Sequence, residues 1–417
     1  MSTSSPEIKK VTTLIVGAGA AGMMAAVAAG LHGAKDVVLL DGSPRPGLKL
    51  TMCGGGRCNL TNSQLQWDGF SGESQSAIKK VIRQFPPERV VQFFESAGLK
   101  LKIEEPWHKY FPANDSAHAV VKLFHRKLEE LHMPIVYPRK VNNFYPDAGG
   151  WQVVTEQAIY WAQQLVLAAG GLSYPQTGSD GSIWNILRNL GVSLEEPYPA
   201  LTPLFTSDTD FQSLTGIALP CRVKVKQAGK TIFEDGNPVL FTHIGLSGPA
   251  ILNCSQWFTK KTAPDQLTLT ISFLPEYRPD QFEQELIAAV AQTPNLKLVK
   301  YLDTYFPGRV AQVLAERSGV AEKQLRELTK TERRTVVEQI FQFQPSITGN
   351  GGYTMAEATG GGIPFAELEL ATMRMKKYDH LYAAGEIVNV HGSIGGYNLQ
   401  WAWSSGYVCG KAIANRE

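Results

Sequence analysis

The feature that most narrows what this chain can fold into is a set of glycines close to its start. Residues 11–16, VTTLIV, are a short β-branched run that ends directly at Gly17, and Gly17-Ala-Gly19-Ala20-Ala21-Gly22 then opens an Ala/Met-rich stretch with no breaker until Gly30. The pattern predicts strand, turn and helix in that order. Gly17 permits the tight turn, Gly19 lets a pyrophosphate approach the backbone, and Gly22 lets the helix pack closely on the strand. Free N–H groups at the helix start, around Ala20 and Ala21, would hold phosphate oxygens. A second strand, Asp36–Leu40, ends at Asp41-Gly42, with the acid about twenty residues past the glycines and placed to bond an adenosine ribose hydroxyl. The alternative is a glycine-rich turn in some other α/β protein. The sequential order of strand, glycines, helix, strand and acid favours a dinucleotide site, without separating FAD from NAD, which present the same ADP moiety.

At 417 residues the chain is longer than one core usually supports, so two or three domains are expected. Forty Lys plus Arg against thirty-eight Asp plus Glu give a net charge of +2, too near balance for a whole-protein pull on nucleic acid or anionic lipid. The start, MSTSSPEIKK, has no apolar stretch behind its charges, and nowhere do about 18 uncharged apolar residues run together, so neither a secretory signal nor a membrane span is expected. The five cysteines, Cys53, Cys58, Cys221, Cys254 and Cys409, are odd in number and scattered, which suits a reducing, cytoplasmic setting. Cys53 and Cys58 form one close pair with no second half, so no metal site is expected.

Further along, residues 163–170, QQLVLAAG, read as a buried strand followed by Gly171 and the turn-rich LSYPQTGSDG, then by the amphipathic stretch Ser182–Leu190. The C-terminus repeats that theme. Residues 379–386, DHLYAAGE, read as a short strand ending in a glycine and an acid, and a glycine-containing loop leads to a closing helix over Asn398–Ile413. A dinucleotide domain that starts at residue 11 and ends with these elements must be interrupted by an insertion. Within it, CRVKVKQAGKTIF and QLTLTISFL alternate apolar and polar residues, whereas FEQELIAAV, RVAQVLAER and ERRTVVEQIFQF carry apolar positions at helical intervals. The expected architecture is α/β: a Rossmann-like domain over 1–195 and 346–417, split by a β-rich, barrel-like domain at 196–277 and a helical subdomain at 278–345. There is no internal repeat and no low-complexity linker.

These residues resemble a known family, the bacterial FAD-dependent oxidoreductases with a GGGRCN signature, within the fumarate-reductase-like flavoproteins. The signature stands as Pro46-Gly47-Leu48-Lys49-Leu50-Thr51-Met52-Cys53-Gly54-Gly55-Gly56-Arg57-Cys58-Asn59-Leu60-Thr61-Asn62. Further matches are Ala168-Ala169-Gly170-Gly171, Phe241-Thr242-His243 through Ser247-Gly248-Pro249, Ala358-Thr359-Gly360-Gly361, Ala384-Gly385-Glu386, and Gly395-Gly396-Tyr397-Asn398-Leu399-Gln400-Trp401-Ala402. The chain departs from the family pattern at Leu48, usually Arg, at Cys53, usually Ser, and at Asn389, usually an acid. The resemblance implies an FAD domain interrupted by β and helical parts. It also implies a cofactor site drawn from Gly17, Gly19, Ala20, Ala21, Gly22, Asp41, Gly42, Lys49, Gly54, Gly55, Gly56, Arg57, Cys58, Asn59, Thr61, Ala169, Gly170, Gly171, Gly385, Glu386, Gly395, Gly396, Tyr397, Asn398 and Leu399.

A flavin accepts hydride at N5, and its reduced form carries negative charge near N1 and C2=O, so a helix start aimed there stabilises it. Gly395-Gly396-Tyr397-Asn398 leading into Leu399 is the candidate helix start, and the resemblance gives Glu386 the ribityl chain. The glycines at 54–56 would let the backbone press on the ring or pyrophosphate, where a Cβ would collide. A proton donor is sought among His243, His391 and Arg57, each of which has a structural alternative. Cys58 reads as a small buried hydrophobe rather than a redox thiol, and Trp401 and Trp403 as packing for the closing helix.

The leading expectation is an NAD(P)H-fuelled reductase of an activated C=C bond in a small or medium-sized organic substrate, with the nicotinamide visiting only transiently because no second glycine fingerprint is present. The resemblance extends to bile-acid-type enone reductases, to proteins labelled aminoacetone oxidase-like and to rRNA dihydrouridine synthase. Amine oxidation and uridine reduction in rRNA are therefore alternatives, with a non-enzymatic flavin-binding protein as a further one. For the RNA alternative the insertion offers Lys297, Lys300, Arg309, Arg317, Lys323, Arg326, Lys330, Arg333 and Arg334, interleaved with Glu316, Glu322, Glu327 and Glu332.

Overall fold

The computed structural model describes residues 8–260 and 267–415; residues 1–7, part of the segment read above for a signal, lie outside them. The chain divides into two units, Met1–Ala200 with Tyr353–Glu417, and Leu201–Gly352.

The first unit is built on a sheet whose parallel strands lie in the order Leu381–Ala383, Ile159–Leu167, Ile8–Val16, Val37–Leu40 and Ile135–Val136. Their residues are Val, Leu and Ile in near-continuous runs, because helices cover a parallel sheet on both faces. Register is set so that Val16 stands opposite both Leu167 and Leu40, and Leu167 opposite Ala383. The carboxyl ends of four strands are thus level. Chain order reverses between Ile8–Val16 and Ile159–Leu167, which makes the gap beyond their ends the crevice where ligands bind in open α/β sheets. A hairpin, Val141–Asp147 with Gly150–Thr155, extends the sheet antiparallel to Ile159–Leu167.

Two helices pack tightly behind this edge. Ala20–Leu31 and Tyr397–Ala414 touch along small residues: a Cβ on Gly406 would lie 2.5 Å from the Ala21 carbonyl oxygen, and one on Gly410 2.2 Å from that of Ala25. The closing helix is buried almost all round, with Trp401 donating to the Gly385 carbonyl at 3.0 Å and Trp403 to that of Leu60 at 2.9 Å. Each large side chain buried in this way contributes about 1.5–3 kcal/mol relative to exposure.

The second unit holds a five-stranded sheet, running Ala218–Pro220, Pro238–Thr242, Gly245–Ser247, Leu204–Thr206, Ile347–Asn350, and a three-stranded one, Lys230–Asp235, Arg222–Gln227, Leu267–Ser272. The helices Pro279–Gln292, Gly308–Arg317 and Lys330–Phe341 share one core with these sheets, joining Phe241, Ile271, Phe282, Leu314 and Phe343. Helices and strands are therefore one body instead of the separate β-rich and helical parts expected from periodicity, which reports only local structure. Thr329 caps the last of these helices, its hydroxyl accepting from Glu332 N at 3.2 Å while Glu332 Oε2 accepts from Thr329 N at 2.9 Å. The unit begins at Leu201, beyond the expected 196, because Glu195–Ala200 pairs with Ala358–Gly362 in the first unit.

Candidate functional site

Four chain segments leave the level strand ends together. Gly17 N donates to Leu40 O at 2.7 Å, Ala168 N to Val16 O at 2.8 Å, and Ala384 N to Leu167 O at 3.0 Å. The loops that follow, with the 47–59 segment and the start of the closing helix, enclose a cavity of about 550 Å³. Its wall carries Gly17, Gly19, Asp41, Ala169, Glu386 and Gly396, so one cleft collects residues from both ends of the sequence.

The glycine turn is shaped as its spacing predicts. Gly17 has φ 103, and a Cβ there would sit 2.4 Å from the Ala168 carbonyl oxygen. A Cβ on Gly22 would lie 1.9 Å from Gly17 O, whereas a Cβ on Gly19 would meet no protein atom within 4 Å. Gly22 therefore serves helix–strand packing, and Gly19 faces open space in the cleft. Asp41 is fixed by Ala18 N on Oδ2 at 2.7 Å and Ser43 N on Oδ1 at 2.9 Å, which leaves Oδ2 a further lone pair for a hydroxyl. Arg139, whose backbone N–H donates to Asp41 O at 2.6 Å, also lines the cleft, and its Nε is a buried donor with no partner among the described residues. Open space over Gly19, an acid with residual acceptor capacity and an orphaned guanidinium donor fit the ADP half of a dinucleotide.

The remaining wall is made by Lys49, Glu386, Glu357 and the closing helix. Lys49 Nζ lies 2.5 Å from Glu386 Oε2, and Glu386 Oε1 accepts from Thr359 N at 2.8 Å. Glu357 is open to the cleft yet crowded by protein atoms, and that desolvation raises its carboxyl above the ordinary range, with Lys49 opposing. The 18-residue helix Tyr397–Ala414 starts at Gly396, in the left-handed conformation at φ 95, without a side-chain cap. Gly395, Gly396, Asn398 and Leu399 all line the cleft. The Asn59 amide ties the GGGRCN loop to that helix start, accepting from Gly396 N at 3.0 Å and donating to Thr61 O at 3.1 Å. Asn398 bridges the Gly392 N–H and carbonyl at 2.8 Å each.

Most of the residues expected at the cofactor line this cleft. Gly22, Gly56, Arg57, Cys58, Thr61, Gly171 and Tyr397 do not. Thr61 donates to Gln400 at 2.5 Å, and the Tyr397 hydroxyl accepts from Gln66 N at 3.1 Å. Arg57 turns to Glu104 and Asp115, the latter at 2.7 Å, and stacks 4.2 Å over the Phe111 ring. His391 is buried, with Nε2 3.0 Å from the Tyr198 hydroxyl, whose pKa burial pushes far up. His243 is exposed in the turn between Pro238–Thr242 and Gly245–Ser247 of the second unit. Arg139, Tyr174, Ser179 and Glu357 also line the cleft and were not expected there; Tyr174 and Ser179 fall in the turn-rich LSYPQTGSDG segment and Glu357 beside the Ala358-Thr359 motif, whereas Arg139 has no signal nearby. Among the described residues no cluster of three metal-ligating side chains occurs, and no helix is long and apolar enough to cross a membrane.

Comparison with known proteins places this geometry in a family. The model of the HI0933-like protein Rossmann domain matches residues 11–412. The 3-dehydro-bile acid delta(4,6)-reductase of Clostridium scindens is 28% identical over 405 residues, 96% of this chain and 98% of that protein. The ribosomal RNA dihydrouridine synthase of Escherichia coli is 28% identical over 413 residues, 97% of this chain and 98% of that protein. Among solved structures, the 3-ketosteroid delta1-dehydrogenase of Sterolibacterium denitrificans superposes with a TM-score of 0.50 at 12% identity, covering 98% of this chain and 100% of that one, a likeness of fold. The chain therefore belongs to the HI0933-like Rossmann-domain family and is a flavin-dependent oxidoreductase.

Proposed function

We propose that this protein holds FAD in the cleft and works as an NAD(P)H-fuelled reductase of a C=C bond conjugated with a carbonyl. The observation that carries the reading is that the uncapped start of the closing helix lines the same cleft as the phosphate turn. Bound FAD would supply a two-electron carrier that delivers hydride from N5 and, once reduced, bears negative charge near N1 and C2=O. The chain's own residues do the rest. Gly19 and the first turn of Ala20–Leu31 receive the pyrophosphate on backbone N–H groups, at the turn that Gly17 shapes. Asp41 takes the adenosine ribose, and Glu386, held by Lys49 and Thr359 N, takes the ribityl chain. The first turn of Tyr397–Ala414 presents N–H groups and the positive end of its dipole to the developing negative charge.

The names of the two relatives support the substrate class. One reduces double bonds of a 3-keto bile acid and the other makes dihydrouridine in RNA, and both names denote reduction of a C=C bond next to a carbonyl. Hydride to one carbon requires a proton at the other. His243 and His391 are the candidates for that proton, the first exposed in the second unit and the second buried with Nε2 3.0 Å from the Tyr198 hydroxyl. A small or medium-sized substrate is favoured over rRNA because four of the nine cations named in the insertion are paired with acids, Lys297 with Glu322, Lys300 with Asp303, Arg317 with Asp208 and Asp210, and Lys323 with Glu332. The reading is tested by loading the protein with FAD, reducing it anaerobically with NADPH and following reoxidation by enones, by uridine-containing rRNA fragments and by oxygen. Fast reoxidation by an enone supports it. Turnover of an amine with oxygen, without reduction by NADH or NADPH, overturns it in favour of an oxidase.

A further inference from the structure

The GGGRCN loop carries two cysteines, and the backbone is bent so that they meet. Gly54 and Gly55 lie in succession in the left-handed region, at φ 57, ψ 34 and φ 67, ψ 31, and Gly56 follows at φ 85. Such a run is open to glycine at little cost and to other residues at a penalty. It turns the chain back on itself, so that Cys58 N donates to Cys53 O at 3.1 Å. Cys58 itself sits at φ 63, an uncommon conformation for a residue with a side chain. The backbone bond sets the two cysteines side by side, and the Cys53 side chain adds to burial in raising the Cys58 thiol. Reading Cys58 alone as a small hydrophobe overlooks this contact, which no periodicity reveals.

The pair is also placed. Cys53 is half-buried on the cleft wall beside Gly54 and Gly55, while Cys58 lies fully buried behind it. Asn59 joins the same loop to Gly396 at the start of the closing helix, which is the end of the cleft away from Asp41 in the proposed arrangement. The other three cysteines, Cys221, Cys254 and Cys409, are each buried in a core. At position 53 the family resemblance gives Ser, so the second thiol is a feature of this chain.

We propose that Cys53 and Cys58 are a redox-active dithiol that exchanges two electrons with the flavin held in the same cleft, a step that rests on the FAD reading above. As the S–S bond forms, the two thiols give up two electrons and two protons. The oxidised flavin takes both electrons and one proton, and the second proton leaves to solvent. The reverse step uses the electrons of the reduced flavin to break the S–S bond. Cys53, on the wall, is the sulfur that meets the flavin, and Cys58 is the partner that closes the disulfide. Burial holds the Cys58 thiol well above its ordinary pKa, so it stays protonated until the bond forms. With Cys58 shielded, the pair exchanges with the flavin and not with a large external disulfide. Its effect is to let each site hold four electrons, so that a reducing equivalent remains after the nicotinamide has left.

The test is an anaerobic dithionite titration of the FAD-loaded protein, paired with alkylation and mass analysis of flavin-free protein treated with a mild thiol oxidant. The expected result is two two-electron equivalents per flavin in the wild type and in Cys409→Ser, and one in Cys53→Ser. In the flavin-free protein the expected result is a cross-linked Cys53–Cys58 peptide, with three cysteines still open to alkylation after unfolding. A flavin-loaded wild type that takes up one equivalent and leaves all five cysteines open to alkylation overturns the dithiol while leaving the FAD reading intact. A protein that forms the cross-link but holds no flavin overturns the FAD reading, and the electron exchange with it.

Discussion

Lys49 Nζ and Glu386 Oε2, 337 positions apart in the chain, meet at 2.5 Å on the wall of the cleft. Both side chains are partly accessible, at 27% and 22%, so the pair adds little to stability by itself. Its weight lies in what it neutralises. Removing Lys49 leaves a carboxylate facing a cleft that must receive a pyrophosphate, so Lys49→Met is expected to weaken FAD binding about tenfold, about 1.4 kcal/mol. Glu386→Gln, which keeps a polar group without the charge, should cost less. Fluorescence titration of the apoprotein with FAD checks the order, and a larger loss in Glu386→Gln would contradict it.

The glycines of the turn separate folding from binding. Gly19→Ala adds a methyl that meets no protein atom within 4 Å, so apoprotein stability should stay within about 0.5 kcal/mol of wild type while FAD affinity falls at least about tenfold. Gly22→Ala drives a Cβ to 1.9 Å from Gly17 O and should lower both. Thermal unfolding of the two apoproteins, set beside their FAD titrations, decides whether Gly19 acts on the ligand alone.

The two histidines are expected to behave differently. His243→Gln should leave the unfolding temperature unchanged, because the side chain is exposed; a fall in kcat of about a hundredfold with an enone acceptor would mark it as the general acid. Tyr198→Phe removes the hydroxyl that meets buried His391 at 3.0 Å, and should cost about 1–3 kcal/mol of stability with the solvent isotope effect on turnover unchanged. A larger kinetic loss in Tyr198→Phe than in His243→Gln would place the proton donor in the buried pair.

Acid should act on the second unit through Asp208. Burial alone would raise its carboxyl, but the Thr206 hydroxyl, Ser346 N–H and Arg317 hold it below the usual range. A folded-state pKa depressed in this way contributes stability that is fully present above the unfolded value, about 3.9, and is lost as pH falls through the folded value. Arg317 also stacks 4.5 Å over Phe343, tying the charges to the core. Asp208→Asn should lower stability at neutral pH and flatten its decline below that value, as measured by denaturant unfolding across acid pH.

What could be read from the sequence was local. Gly17, Gly19, Gly22 and Asp41 announce themselves because a turn, a close approach and a strand end each demand a residue type at a fixed spacing. The closing helix, expected over Asn398–Ile413, runs Tyr397–Ala414, since its boundaries follow from glycines and periodicity. Contacts across the chain were not legible. Arg57, next to the loop glycines, turns to Glu104 and Asp115, and the sequence contains no sign of that choice. Arg139 enters the cleft because the strand Ile135–Val136 happens to pair with Val37–Leu40, a register fixed by packing. The Cys53–Cys58 contact depends on two successive left-handed glycines, and composition cannot show which glycines adopt that shape.

In the proposed function the cleft holds FAD, from which hydride passes to a conjugated C=C bond. Anaerobic titration of the FAD-loaded protein with NADPH, watched in the visible flavin band and followed by addition of an enone, tests it most directly. Bleaching by NADPH and recovery of the band on adding the enone, faster than with oxygen, are the expected results. A wild-type protein that binds no flavin, or whose flavin is bleached by neither NADH nor NADPH, would contradict that function.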